Sequence, residues 1–155
     1  MPRWAIIFIG VLIVMDQAIK QLMLSMVFDP PRILEVTSFF NLVPVWNSGV
    51  SFGLFGDSDA FCWVLVVLAL AIVVVLLVWL VRAGNGMVVF ALTLVVGGAL
   101  SNVVDRVVYG AVIDFVDIHG FGFHWPAFNL ADATIVLGTA LLLYDGLFST
   151  PRAIK

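Results

Sequence analysis

Residues 60–81 read AFCWVLVVLALAIVVVLLVWLV, without a single charged or amide side chain. A hydrocarbon layer about 30 Å thick is crossed by roughly 20 helical residues, so this stretch by itself reads as a membrane span. The composition of the whole chain agrees. Of its 155 residues 63% are apolar and 11% charged, and the mean hydropathy is +1.19. A water-facing surface on a domain of this size carries about 25–35% charged residues. Seven Lys and Arg with ten Asp and Glu cannot supply that. The net charge of -3 also excludes a nucleic-acid binder that works by phosphate neutralisation. Cys62 is the one cysteine, which leaves no internal disulfide and no cysteine metal cluster; in its charge-free span it reads as inert.

Working outward, three further stretches have the length and apolarity of spans: residues 4–24, 87–109 and 128–148. The expected organisation is one integral membrane domain over residues 1–155, with outer segments at 25–59 and 110–127. The first span is read as retained. Its apolar run leads into Asp16-Gln-Ala-Ile-Lys20 and not into the small-x-small site of a cleaved signal peptide. An even number of spans puts both termini on one side, with Arg3, Arg82, Arg152 and Lys155. Basic residues in short loops accumulate on the cytoplasmic side, so both termini are expected there. Of the two outer segments, residues 33–55 are rich in Val, Phe and Trp and punctuated by Gly49, Gly53 and Gly56. Residues 112–118 are likewise strand-like, and the Trp- and Phe-rich residues that follow suit an interface.

Ionisable groups inside spans are costly and signal function or specific pairing. Asp16 and Lys20 are four apart, on one helical face and able to pair. Gly98, Asn102 and Asp105 share a face of the third span, where Gly98 admits a close neighbour. Asn129 and Asp132 fall in the first turn of the fourth, a pattern that also fits an N-cap followed by an acid favoured by the helix dipole. At 1.5 Å rise per residue these groups converge on the outer third of the bilayer, where Asp114 lies in the second outer segment. Structural readings stand beside functional ones: an ion pair for Asp16–Lys20, an interfacial anchor for Asp105–Arg106, a cap for Asp132. His119 and His124 are read as interfacial, with a metal site joining them to Asp114 and Asp117 as the lesser reading. A nucleophile pairing of Ser101 with His119 is weaker still, because no nucleophile-elbow sequence is present.

Five boxes occur in order: Asp16-Gln-Ala-Ile-Lys20, Asn47-Ser-Gly-Val-Ser-Phe52-Gly, Gly97-Gly-Ala-Leu-Ser-Asn102-Val-Val-Asp105-Arg106, Val112-Ile-Asp114-Phe115 and Trp125-Pro-Ala-Phe128-Asn129-Leu-Ala-Asp132. Together they resemble bacterial lipoprotein signal peptidase, the signal peptidase II family. The resemblance covers nearly the whole chain. Ser101 and Ser51 replace a Gly and an Ala usual in the family, and both are small.

The resemblance implies a membrane all-α fold: four transmembrane helices with a small extracytoplasmic β-cradle and an interfacial helix. It implies an intramembrane aspartic endopeptidase that cuts the signal peptide from a diacylglyceryl-modified prolipoprotein, just before the lipidated cysteine. The catalytic pair would be Asp114 and Asp132. The substrate-binding and support set would be Asp16, Lys20, Asn47, Gly49, Asn102, Asp105, Arg106 and Asn129. The expected setting is the bacterial plasma membrane, with the site near the extracytoplasmic face, prolipoproteins and membrane lipids as partners, a monomer as working unit, no nucleic acid, no cofactor and no metal. The rival reading is a small proton-coupled transporter or channel component, since membrane carboxylates also relay protons. A further one is an assembly protein whose polar stripes only join helices.

Overall fold

The computed structural model describes residues 1–49 and 59–148. Residues 50–58, with Ser51, Phe52, Gly53 and Gly56, and residues 149–155, with Arg152 and Lys155, lie outside the described residues. Four long helices account for the apolar stretches: α1 (Arg3–Met26), α2 (Asp59–Arg82), α3 (Gly86–Tyr109) and α4 (Leu130–Phe148). Each is long and apolar enough to cross a membrane. The two long connections supply four strands: β1 (Leu34–Thr37), β2 (Phe40–Asn47), β3 (Val112–Gly120) and β4 (Phe123–His124). They form one antiparallel sheet in the order β1-β2-β3-β4. The described residues include no separate interfacial helix.

Helix α3 is the axis of the bundle. In its apolar window 67% of the residues are buried, against 17% in each of the other three helices. The outward faces of those three expose Ile7, Val14, Val67, Val75 and Val136. Such surface is unfavourable in water and is what lipid solvates. One apolar cluster joins α1, α2 and α3 through Ile9, Val73, Leu80, Leu92 and Val96. A second joins the end of α1 to β3 through Met23, Val27, Ile113 and Phe115. Along α1, the buried polar residues Asp16 and Lys20 lie between the two clusters.

Two local features bring the sheet to the helix ends. Register between β2 and β3 slips between Leu42 and Val45, around Pro44, which has no N–H to give to a ladder. The residue preceding Asn129 is stitched onto β3, because Phe128 N–H donates to Val116 O at 3.1 Å and Val116 N–H to Phe128 O at 2.9 Å. The start of α4 therefore sits beside the middle of β3.

Helices α3 and α4 approach closely at Gly98. A Cβ there would meet Ala131 O, and would come within 2.5 Å of Thr134 Oγ1 and 2.9 Å of Ile135 Cγ1. Gly98→Ala should therefore destabilise the fold by about 1–3 kcal/mol through overpacking. Gly10, with nothing within 4 Å of its added Cβ, should tolerate Ala without loss. Thermal unfolding of the two variants in the same detergent compares them directly.

Candidate active site

The site is built on Lys20, whose side chain is fully buried. Its Nζ lies 2.6 Å from Asp16 Oδ2, 2.7 Å from Asp105 Oδ2 and 3.0 Å from Asn102 Oδ1, to which it donates. The three N–H bonds of an ammonium thus have three acceptors on two helices. Asp16 also reaches a third helix: its Oδ1 accepts from Ala131 N–H at 2.9 Å, an otherwise unpaired donor of the first turn of α4. Asp105 Oδ2 accepts from Ile113 N–H at 3.2 Å and so holds the start of β3.

Above this ion cluster sit Asp114 and Asp132, each on an asparagine. Asn129 Nδ2 donates to Asp114 Oδ1 at 2.7 Å, and Asn102 Nδ2 donates to Asp132 Oδ1 at 2.7 Å. The asparagines touch, Asn129 Nδ2 to Asn102 Oδ1, at 3.3 Å. Asn47 Nδ2 donates to the other oxygen of Asp114 at 2.8 Å. Asn47 is itself aimed by a tight turn in which its Oδ1 accepts from Gly49 N–H at 2.9 Å. Gly49 has φ +79°, a conformation that disfavours side-chain-bearing residues.

The capping expectation for α4 holds alongside this. Asn129 Oδ1 accepts from Asp132 N–H at 2.9 Å, and Asp132 Oδ2 accepts from Asn129 N–H at 3.2 Å, a reciprocal capping box. The cap and the link to Asn102 use different oxygens of Asp132, so one residue serves both.

Electrostatics separate Asp114 from ordinary surface acids. Asp16 and Asp105 pair directly with the Lys20 ammonium, whose charge also reaches Asp114. The Asp114 carboxyl is pushed up to about 6, first by burial away from water and also by the negative charge of Asp132. Hydrogen bonds from Asn47 and Asn129 and the charge of Lys20 pull the other way. A groove of about 680 Å³ opens beside the pair, lined by Asn47, Phe128, Asp132, Val136, Leu137 and Ala140 among others. It is apolar along α4 and polar only at the Asp132 end.

Other expectations change. Asp105 is fully buried in the Lys20 cluster and is not an interfacial anchor, because Lys20 and Gln17 of α1 and the start of β3 close over it. Arg106 makes no ion pair with it: its Nη1 donates to Asn102 O at 3.4 Å, and its buried Nε has no partner among the described residues. Ser101 does not meet His119. Its hydroxyl donates to Asp16 Oδ2 at 2.6 Å. Both histidines gather on Asp117 and not on Asp114, since residues three apart on a strand point to opposite faces. Gln17 is a support that the sequence reading passed over; its amide donates to Asp105 Oδ1 at 2.7 Å and to Ser101 Oγ at 3.2 Å. Its signal was available: an amide inside a span needs a partner.

Comparison with known proteins puts these residues in context. A family model described as signal peptidase (SPase) II matches residues 8–148. A lipoprotein signal peptidase of Methylobacterium sp. (strain 4-46) is 46% identical over 142 residues, covering 90% of this chain and 86% of that protein. One from Rhodopseudomonas palustris (strain TIE-1) is 39% identical over 160 residues, covering 99% and 96%. A solved structure described as a bacterial membrane enzyme superposes with a TM-score of 0.81 at 26% identity, covering 94% of each chain.

Two measurements test the site. Lys20→Met leaves Asp16 and Asp105 without their cation and should destabilise the protein by about 3–5 kcal/mol, read by unfolding in detergent. Asp114 should act through pH. Its folded pKa of about 6 lies above the ordinary 3.8, so the unfolded chain gives up this proton first as pH rises. Stability should then fall between pH 3.8 and 6 and level off above, and Asp114→Asn should remove that component from a Tm-against-pH curve.

Proposed function

This chain belongs to the signal peptidase II family, and we propose that its Asp114 and Asp132 are the aspartic pair that hydrolyses the peptide bond. The protein is a bacterial membrane peptidase that removes signal peptides from prolipoproteins. The observation that carries the residue assignment is the bridge Asp114–Asn129–Asn102–Asp132 at the polar end of an apolar groove. It holds two carboxylates where an apolar signal helix can lie alongside α4.

Two neighbouring carboxylates do not ionise together easily and share a proton. The raised pKa of Asp114 supports it as the partner that carries that proton, with Asp132 as the base. Asp132 takes a proton from a water, whose oxygen attacks the scissile carbonyl carbon while Asp114 gives its proton to the carbonyl oxygen. When the tetrahedral intermediate collapses, the proton on Asp132 passes to the leaving amide nitrogen and the carbonyl oxygen's proton returns to Asp114. The dyad ends as it began, titrating as a unit. Asn47, Asn102 and Asn129 orient the carboxylates. Asp16, Lys20 and Asp105, with Gln17 and Ser101, position the elements that carry them. The scissile bond is the one before the diacylglyceryl-modified cysteine, whose acyl chains suit the lipid-facing wall of the groove.

The orientation follows from charge. Arg3 and Arg82 lie at the end of the bundle away from the sheet, and by the basic-residue rule we assign that end and both termini to the cytoplasm. The site then faces outward. The transporter reading finds no support in the relatives, and Asp16, Asp105, Asp114 and Asp132 gather at one level without crossing the bilayer.

Purified protein in detergent with a diacylglyceryl-modified prolipoprotein provides the test. Asp114→Asn and Asp132→Asn should each lower kcat by about 10²–10⁴-fold with the fold intact by circular dichroism. Full activity in either folded variant removes that residue from the pair.

A further inference from the structure

The only two histidines of the chain meet on one buried carboxylate away from the dyad, and we propose that Asp117, His119 and His124 form a binding site for a divalent transition-metal ion, with zinc the best match. Strand β3 sets Asp117 and His119 two residues apart and so on one face. Strand β4 sets His124 directly opposite His119. The two rings stack, with centroids 4.8 Å apart and planes 14° from parallel. Both Nδ1 atoms turn toward Asp117: that of His124 lies 2.8 Å from Oδ1, that of His119 3.6 Å from Oδ2. One ligand atom from each of the three residues fits within 4.8 Å. Zinc with bonds of about 2.0–2.1 Å in tetrahedral geometry sets its donor atoms roughly 3.3 Å apart, and the observed separations bracket that value.

Asn41 touches two of these groups. Its Nδ2 donates to Asp117 Oδ2 at 3.0 Å and lies 3.4 Å from His119 Nδ1. An amide nitrogen only donates, so this contact supports the tautomer in which His119 Nδ1 accepts, the form that ligates a metal. In that tautomer Nδ1 and Asp117 Oδ2, 3.6 Å apart, are two donor atoms on one side of the cluster. Asp117 is buried and turns its two carboxylate oxygens toward the two rings. The His124 side chain is 59% exposed, so its ring can turn to offer a nitrogen to an ion that also takes Asp117. The open side leaves a fourth position for water, and two imidazoles with one carboxylate suit zinc. Bound there, the ion would tie β4 to β3, one loop before Phe128 and the start of α4. The inference does not depend on the peptidase assignment.

The test uses tag-free full-length protein in detergent, stripped with a chelator and titrated calorimetrically with zinc sulfate, with thermal unfolding in parallel. The wild type should bind one equivalent and unfold at a higher temperature when zinc is present. His124→Ala, at a largely exposed position, should weaken binding by at least the roughly 10-fold to 100-fold that loss of an outer partner of a metal ligand costs. The double variant His119→Ala/His124→Ala should lose both binding and the thermal shift, while Asp114→Asn keeps both. No uptake by the wild type would mean an ordinary histidine–carboxylate pair and overturn the proposal. Equal binding by wild type and double variant, or binding lost with Asp114→Asn, would overturn it as well.

Discussion

A lysine ammonium with no access to water organises this molecule. Lys20 reaches Asp16, Asp105 and Asn102 at 2.6 to 3.0 Å. An isolated ion in that setting is strongly unfavourable, so the closed bundle depends on these partners being in place. Through those partners α1 is registered against α3, α3 against the start of β3, and α1 against the first turn of α4. Apolar contact alone gives little reason for one helix register over another in lipid. The ion cluster supplies that reason, and Asn102 carries the register to Asp132.

The asparagines extend the same logic to groups that change protonation. Each carboxylate of the proposed pair receives an amide N–H, which fixes its direction without adding charge. With one nearby ammonium already shared by Asp16 and Asp105, the remaining two acids lie in a field that does not favour both being ionised.

Different parts of this arrangement were legible in the sequence to different degrees, for physical reasons. Span existence follows from a one-dimensional sum over apolar residues, so α2 is readable from residues 60–81 alone. The pairing of Asp16 with Lys20 follows from helical period. That Lys20 also takes Asp105 could not be read, because it depends on the contact of two helices distant in sequence. The slip of β2 near Pro44 and the stitch of Phe128 to Val116 are likewise tertiary. Two features were readable and were missed. Gln17, a polar neighbour of Asp16 inside a span, required a partner. The alternation of Asp117 and His119 on one strand face separates them from Asp114, so the two histidines belong with the former. The resemblance supplied the choice of Asp114 and Asp132, which local physics alone left level with a cap and a solvated loop.

The groove beside Asp132 has one wall, along Val136, Leu137 and Ala140, that is continuous with the lipid-facing surface of α4. A substrate held in the same bilayer meets this wall in two dimensions. Its effective concentration is then a mole fraction of the lipid or detergent phase, and not an amount per volume of buffer. Adding empty micelles at fixed enzyme and fixed substrate thins the reactants and slows turnover although no affinity has changed. Apparent KM values for such an enzyme are comparable only at matched surface dilution, and the bilayer acts as a reagent whose quantity belongs in the rate law.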